Sequence, residues 1–289
     1  MIKQITGNMI FKPIIFSLLL VGLLISAPIK QASSAGVDIP QSFFLEHPYS
    51  ITGLKLSTEI IDLELEDALY LNEIRVDVNI HDNKASLYTR IPFAGITDVD
   101  PTNEDDFALG NIAIGGKTTL FEGNTAVLSG GIEGIIPTVD NNLAAMGART
   151  YFKDFSSFVD DAFTIRPYAV FGIGKDIYAF QANFGADIIT SAEEIEGDDT
   201  ELILRYGGTA SVTPHLPVPF ATAFLVELMA VSSTSFDENR TEAFLTPGFR
   251  FGGQIFSVGA GVEIPLGEDS DDYADNVGFL VDVLIRFGS

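Results

Sequence analysis

Residues 277–287 read V-G-F-L-V-D-V-L-I-R-F, and this stretch at the end of the chain decides the fold class. At the period of two that a β-strand imposes, Asp282 and Arg286 fall on one face and six apolar side chains on the other. These six are Val277, Phe279, Val281, Val283, Ile285 and Phe287. A soluble sandwich turns such an apolar face inward, whereas a transmembrane barrel turns it outward to lipid. The choice between the two therefore depends on the rest of the chain.

The first 35 residues have the pattern of a secretory signal peptide. Lys3 and Lys12 form a basic start, residues 14–27 form an apolar run, and small residues lead to an expected cleavage site at Ala35. The run is shorter than the roughly 20 residues of a membrane-spanning helix, so an uncleaved N-terminal anchor is the less favoured alternative. No later stretch is apolar and long enough to form such a helix. A membrane protein with this sequence therefore has to be a β-barrel.

The chain is strongly acidic, with 40 Asp and Glu against 16 Lys and Arg and a formal net charge of −24 at pH 7. A nucleic-acid partner is therefore not expected, because phosphate would be repelled. The acids concentrate in residues 98–106, 192–201, 235–242 and 268–275. Such runs are typical of solvated loops. The alternative interpretation is that they are surface loops meeting divalent cations and anionic lipid headgroups.

The sequence shows no pattern for catalysis, a cofactor or a metal. It has no cysteine, which excludes disulfides, thiol nucleophiles and thiolate metal sites. His47, His81 and His215 lie in a lead-in segment and in turns, whereas an outer-membrane hydrolase needs a His on a strand within reach of a Ser. The acidic stretch 269–272 lacks the Gly and the distal Glu of a calcium loop. We therefore predict that the protein is not an enzyme and has neither cofactor nor metal.

Twelve stretches have the alternation or the length of β-strands. Many exceed the about 5–6 residues usual for strands in globular proteins and match the roughly 9–11 residues of membrane barrel strands. Their connections alternate between long and short, as in outer-membrane barrels, whose periplasmic turns are short. The stretches are residues 58–66, 73–80, 85–93, 107–121, 125–136, 164–174, 176–190, 200–213, 219–232, 241–252, 254–266 and 277–287.

These features predict an all-β fold, an antiparallel transmembrane β-barrel of about twelve strands, with about ten or fourteen as alternatives. The expected organisation is a signal peptide over residues 1–35, a periplasmic lead-in over residues 36–57 and the barrel over residues 58–289. The long connection over residues 137–163 is predicted to be an external loop. Within it, residues 142–152 fit either a strand extension or part of a plug that contains helix. The C-terminus is expected on the periplasmic side.

The polar phase of the strands predicts which side chains face the barrel interior. It holds six of the eight arginines, whose planar guanidinium groups pair well with carboxylates in a narrow lumen. Two interpretations are compatible across the set: salt bridges that fill the lumen, and a lining for a solute path. The predicted channel-lining residues are Arg75, Arg90, Lys117, Glu133, Arg166, Asp187, Arg205, Glu227, Arg250, Glu263, Asp282 and Arg286, and Asp77, Gln181 and Asn183 share their phase.

Several short motifs resemble an outer-membrane β-barrel transporter family named after the meta-pathway of phenol degradation. The family tends to carry a strand of the type G-x-G-D-x-x-x-G-x-K, and here residues 109–117 read L-G-N-I-A-I-G-G-K. It also has a P-L pair before a polar loop, a last strand ending in R-F and an earlier P-T pair, matched by residues 264–266, 285–287 and 136–138. The resemblance spans about residues 85–289. Asn111 replaces the usual Asp, and Gly288 and Ser289 follow the terminal aromatic residue.

The resemblance implies a passive outer-membrane channel for small hydrophobic or aromatic molecules. Its expected location is the outer membrane of a Gram-negative bacterium, and its expected partners are outer-membrane lipid, the barrel insertion machinery and a small-molecule solute. Two alternatives remain from the residues themselves. One is a structural or adhesive barrel that transports nothing, and the other is a soluble periplasmic β-sandwich that binds a ligand.

Overall fold

In the computed structural model of the protein, the described residues are 39–62, 68–81, 84–97, 106–140, 142–195, 198–216, 220–234, 240–253, 255–266 and 276–287. The expected signal peptide lies outside these ranges. Most of the acidic loops do as well, including residues 98–105, 235–239 and 267–275.

The described chain is dominated by one antiparallel sheet of 13 strands. The strands are β1 Gly53–Asp62, β2 Ala68–His81, β3 Ala85–Thr97, β4 Asp106–Leu109, β5 Ile112–Glu122, β6 Ala126–Ile136, β7 Ala162–Lys175, β8 Tyr178–Ile195, β9 Asp198–Val212, β10 Ala221–Ser233, β11 Thr241–Gly252, β12 Phe256–Leu266 and β13 Gly278–Arg286.

The sheet closes on itself, because β1 pairs with β2 on one side and with β13 on the other. The short β4 and the longer β5 follow one another along the same neighbour, β3, and so occupy a single position in the wall. The barrel therefore has twelve strand positions, which confirms the predicted count. Since Gly53 pairs with Arg286, the barrel begins and ends at the same rim.

The start of the barrel differs from the predicted boundary at residue 58. β1 begins at Gly53, so residues 53–57 belong to the wall and not to a segment preceding it. Lys55, Ser57 and Glu59 face the interior, and the apolar phase opposite them, Leu54, Leu56 and Ile60, is interrupted by Thr58. The last strand of the wall, β13, covers residues 278–286 and so lies within the predicted range 277–287.

Outward and inward faces differ as expected for a barrel whose apolar side is outside. In β10, Phe224 and Leu228 are 56 % and 48 % exposed, whereas Glu227 between them is 0 % exposed. In β13, Phe279 and Val281 are likewise exposed, although Val283 and Ile285 on the same phase are buried. Charged side chains are thus enclosed while large apolar ones cover the outer surface, the reverse of a soluble sandwich.

Two tyrosines lie flat against the inner wall over glycines of the next strand. A Cβ atom at Gly115 would lie 2.3 Å from Cζ of Tyr88, and one at Gly131 would lie 2.3 Å from Cζ of Tyr168. Any larger residue at either position would therefore displace a ring. These glycines make room for aromatic side chains within the lumen.

The connection between β6 and β7 contains the described helices. Helix α1 spans Leu143–Thr150, and the Asn142 side chain caps it by accepting a hydrogen bond from the Ala145 amide. A 3-10 turn at Phe152–Asp154 leads to the short helix α2 at Phe155–Phe158. Among the described residues, no helix has the length and hydropathy needed to cross a membrane.

Candidate functional site: the barrel lumen and its two inserts

Two segments enter the barrel and fill much of its interior. The N-terminal insert comprises residues 39–52, which precede β1. The loop insert comprises residues 137–140 and 142–161, between β6 and β7. Both bond to side chains on the inner wall, so the lead-in predicted to lie before the barrel is found inside it. The loop predicted as external folds inward as a plug that contains helix, one of the two forms expected for residues 142–152.

Glu227 holds the N-terminal insert by its backbone. Its carboxylate accepts hydrogen bonds from the amides of Phe43, Phe44 and Leu45, at 2.8, 3.1 and 3.0 Å. Three successive amides that converge on one carboxylate form an anion-binding turn, and hydrogen bonds to a charged acceptor are stronger than neutral ones. This predicted luminal residue therefore anchors the insert.

The ring of Phe43 sits in a recess of the inner wall made by three glycines. Cβ atoms placed at Gly248, Gly259 and Gly261 would approach the ring to 2.6, 2.9 and 2.9 Å. Arg250 lies beside the ring and donates from Nε to the Gln41 carbonyl oxygen, at 2.9 Å. The insert is thus fixed by shape as well as by hydrogen bonds.

The next part of the N-terminal insert carries two titratable side chains. Burial would raise the pKa of Glu46, but the charges of Arg75 and Lys117 outweigh burial and lower it to about 2. Burial, with the charge of Lys117 nearby, lowers the pKa of His47 to about 3. Lys117 also donates to the His47 carbonyl oxygen at 2.7 Å. The insert therefore presents a charged carboxylate and a neutral imidazole at neutral pH.

Lys153 anchors the loop insert to the barrel wall. Its ammonium group donates to Glu59 at 2.7 Å and to Glu263 at 2.5 Å, and all three side chains are buried. Burial would lower the pKa of Lys153, but the carboxylates of Glu263 and Glu59 outweigh burial and raise it. The 3-10 turn is thereby bonded to β1 and β12 at once.

Asn111, at the break between β4 and β5, bonds to both ends of the loop insert. Its Nδ2 donates to the carbonyl oxygens of Ser156 and Val159, at 3.2 and 2.6 Å. Its Oδ1 accepts from the amides of Thr138 and Val139, at 2.9 and 3.1 Å. The amide is fully buried, so one side chain satisfies four backbone groups of the insert.

Replacing Asn111 with aspartate is expected to lower the free energy of unfolding by about 2 kcal/mol, because the carboxylate lacks both donors and faces two carbonyl oxygens. Unfolding of the refolded protein in urea, followed by its gel mobility, measures the change. Asn142→Asp is the matched control, since an aspartate still accepts from the Ala145 amide as a helix cap. The bond it loses, from Asn142 Nδ2 to the Phe107 carbonyl oxygen, is exposed and not buried. Equal losses in the two variants would contradict the role assigned to Asn111.

Six luminal side chains alternate in charge around part of the wall and form what we name the charge ladder. Arg90 donates to Glu73 and to Glu133, at 2.8 Å in each case, and Arg166 donates to Glu133 at 2.9 Å and to Asp187 at 2.7 Å. Nη1 of Arg205 lies 3.5 Å from Oδ2 of Asp187. The charge ladder is therefore Glu73, Arg90, Glu133, Arg166, Asp187 and Arg205.

The predicted luminal residues fall into distinct groups on the inner face. Five belong to the charge ladder. Arg250 and Asp282 pair at 2.6 Å beneath the N-terminal insert, Glu263 pairs with Lys153, and Arg286 lies at the rim. Arg75 pairs with Glu46 of the N-terminal insert and with Asp77 of its own strand. Glu227 and Lys117 bind the backbone of the N-terminal insert. Their role in lining a solute path stays a prediction.

Sequence reasoning missed the partners that these residues meet. Lys55 lies before the predicted first strand and Glu59 lies within it, but neither was predicted to face the lumen. Glu46 and Lys153 lie in segments that were interpreted as connections. One feature of the sequence did indicate that Lys153 is buried. It stands between aromatic residues in the run Y-F-K-D-F, and a lone Lys in such a run is unusual for a solvated loop. Within the described ranges, no cluster of three His, Asp or Glu side chains is placed to hold a metal ion.

Between the two inserts and the wall lies a cavity of about 190 Å³, which we name the chamber. Glu46 and Leu45 border it from the N-terminal insert, and Lys153 and Phe158 border it from the loop insert. Members of the charge ladder form part of its wall. The lumen thus encloses a small space that both inserts help to shape.

Comparison with solved structures identifies similar barrels at very low sequence identity. An outer-membrane channel from Pseudomonas putida F1 matches with a TM-score of 0.53 and 11% identity over 86% of this chain and 100% of that chain. The NanC porin matches with a TM-score of 0.52 and 9% identity, over 81% of this chain and 100% of its own. The KdgM porin matches with a TM-score of 0.50 and 8% identity, over 82% and 100%.

No family model matches the sequence, and no curated protein does. Because the identities to the solved barrels are so low, these matches establish the fold and not the solute. The fold is that of outer-membrane β-barrels.

Proposed function

We propose that this chain is an outer-membrane β-barrel channel for passive uptake of small hydrophobic or aromatic molecules and that it is not an enzyme. The observation that carries this is the closed twelve-strand barrel with apolar side chains outside and charged ones inside. Apolar side chains on the outer surface are favourable where lipid surrounds them, and lipid surrounds the outer band of a transmembrane barrel. The aromatic solute class rests on the family resemblance described above.

The two inserts support regulated passage. The lumen has a width of twelve strands, and an eight-strand barrel is already filled by its own side chains. The additional space is occupied by the N-terminal insert and the loop insert, so a solute passes only when one of them shifts. Export through a signal peptide cleaved near Ala35, delivery to the barrel insertion machinery and a periplasmic C-terminus complete the proposal.

The test is to refold residues 36–289 into detergent and to compare gel mobility with and without boiling, then to record currents in planar bilayers from the same sample. A mobility shift together with discrete current steps is the expected result. A shift without current would instead favour a structural or adhesive barrel, or a channel that its inserts keep plugged. Solubility in plain buffer with no mobility shift would favour a soluble sandwich and overturn the proposal.

Val281→Arg is expected to make folding into lipid less favourable by about 2–4 kcal/mol, since Val281 lies mid-strand on the outer face and a charge there meets the bilayer midplane. Folding into lipid vesicles at a series of urea concentrations measures this. Val277→Arg, on the same phase but next to the end of β13, is the control and should cost no more than about 1 kcal/mol. Equal costs at the two depths would argue that this face does not meet lipid.

A further inference from the structure

Five side chains at matching positions of β7 to β11 form a row across the outer face, and the central one is small. By strand register the row reads Ile173, Phe180, Ala210, Val226 and Pro247. Phe180 and Val226 are 45 % and 47 % exposed, whereas Ala210 between them has only a methyl group. The outer surface is therefore indented at Ala210, between two bulky neighbours.

The next row borders the same indentation on the side of the short turn between β7 and β8. It holds Lys175, Tyr178, Val212 and Phe224. Together the two rows line a groove of about 700 Å³, which we name the outer groove. Its volume lies within the roughly 300–1,000 Å³ of clefts that bind small molecules. The outer groove is separate from the chamber, because these side chains lie on the outward phase of their strands.

The shape of the outer groove favours one hydrocarbon chain over the rest of the surrounding lipid. Lipid tails are as apolar as the wall, so burial of apolar surface gives no preference for one place on a membrane protein over another. Close packing does give a preference, because each additional contact between carbon atoms adds a small dispersion attraction. An acyl chain over Ala210 contacts the floor and the bulky side chains beside it, whereas a chain on a smooth wall contacts one side.

The end of the outer groove at the rim carries two opposite charges. Lys175 lines the groove and is exposed, and Asp176 follows it in the turn and is exposed as well. The chain as a whole has a formal net charge of −24, so an exposed cation at this place is a local exception. A phospholipid head that combines a phosphate with a primary ammonium group matches both charges.

We propose that the outer groove binds one molecule of phosphatidylethanolamine. One acyl chain lies over Ala210, the phosphate pairs with Lys175, and the ammonium group pairs with Asp176. This inference goes beyond the proposed channel. It requires that lipid surrounds the barrel, but it does not require that the barrel transports a solute.

The experiment is native mass spectrometry of the refolded mature chain in detergent, titrated with dioleoyl-phosphatidylethanolamine or dioleoyl-phosphatidylglycerol. The two lipids have the same chains, and only the first has an ammonium group. The species with one bound lipid should exceed the amount that random attachment gives, and phosphatidylethanolamine should bind about two- to fivefold tighter, as expected for an exposed ion pair. Random attachment, or equal affinity for the two lipids, would overturn the proposal.

Filling the outer groove tests the position of the acyl chain. Ala210→Trp should weaken binding of the first lipid by at least about fivefold, because the indole ring takes the place of the chain. Ala169→Trp is the matched control, since Ala169 is an exposed alanine on the outward phase of β7 outside the groove, and its affinity should be unchanged. Equal effects of the two tryptophans would overturn the assignment to this groove.

Two variants at the rim test the head. Asp176→Asn should remove the preference for phosphatidylethanolamine while the turn is kept, because Asp176 has a φ of 56° that asparagine also adopts. Lys175→Gln should weaken binding of both lipids by about two- to fivefold. Lys84→Gln, at an exposed position in the short turn between β2 and β3, should weaken neither. An unchanged preference in Asp176→Asn, or equal effects of the two lysine variants, would overturn the assignment of the head.

A second copy of the chain is the other occupant that the same spectra would reveal. A dimer that Ala210→Trp dissociates and Ala169→Trp does not, without enrichment of one bound lipid, would overturn the lipid assignment. Planar-bilayer current from a sample without lipid enrichment would overturn the outer groove as a lipid site and leave the channel standing.

Discussion

Lys153→Met is expected to lower the free energy of unfolding by about 3–5 kcal/mol, because removing one partner of a buried ion pair leaves the other charge uncompensated. Here two carboxylates, Glu59 and Glu263, would remain buried with no ammonium group between them. Methionine retains most of the side chain's volume, so the loss reports charge and not a cavity. Urea unfolding of the refolded protein, followed by gel mobility, measures it.

The control for this prediction is Lys175→Met, at an exposed position before the turn between β7 and β8, which should change stability by no more than about 0.5 kcal/mol. A second check is compensation. Adding Glu59→Gln and Glu263→Gln to Lys153→Met should restore much of the stability, since a neutral buried set avoids the uncompensated charge. Similar losses for the two lysine variants, or no recovery on neutralising the carboxylates, would contradict the anchoring role.

Removal of the N-terminal insert is expected to increase single-channel conductance several-fold. A mature chain that begins at Gly53 lacks residues 36–52 and with them the backbone that Glu227, Arg250 and Lys117 bind. The barrel wall itself is complete from β1 onward, so the truncated chain should still show a mobility shift on heating. Planar-bilayer recording of both chains measures the difference.

A reversible control for the truncation exploits the absence of native cysteine. The side-chain oxygens of Ser42 and Thr209 lie 2.9 Å apart, so cysteines at both positions are placed to form a disulfide that ties the insert to β9. Conductance should stay low when this variant is oxidised and rise when a reductant is added. A truncated chain that conducts no more than the full mature chain would show that the insert does not occlude the lumen.

The strands of the barrel wall could be predicted because the residues within each strand are enough to show which side chains face inward and which face outward. The alternation in β2 and β13 and the long and short connections sufficed to give twelve positions, since each strand signals its two faces through its own residues. The same alternation predicted which arginines face the lumen. The start of β1 was placed five residues late, where Thr58 interrupts the apolar phase of Leu54, Leu56 and Ile60.

The inserts were not predictable in the same way because their partners are distant in sequence. Glu227 meets Phe43 across 184 positions and Lys153 meets Glu263 across 110. Neither insert has a periodic pattern of polar and apolar residues from which the partners of its polar groups could be inferred. A plug was one of two options for residues 142–152, but nothing in residues 39–52 signals that they lie inside the barrel.

The seam between β1 and β13 constrains the order of assembly. β1 is the strand that completes the wall, and the N-terminal insert is joined to it directly at Gly53. When the first and last strands meet, the attached segment is either already inside or has to thread past a finished rim. Threading is the harder route, so we expect the insert to be in place when β1 and β13 pair and the lumen to be occluded from the moment the barrel closes.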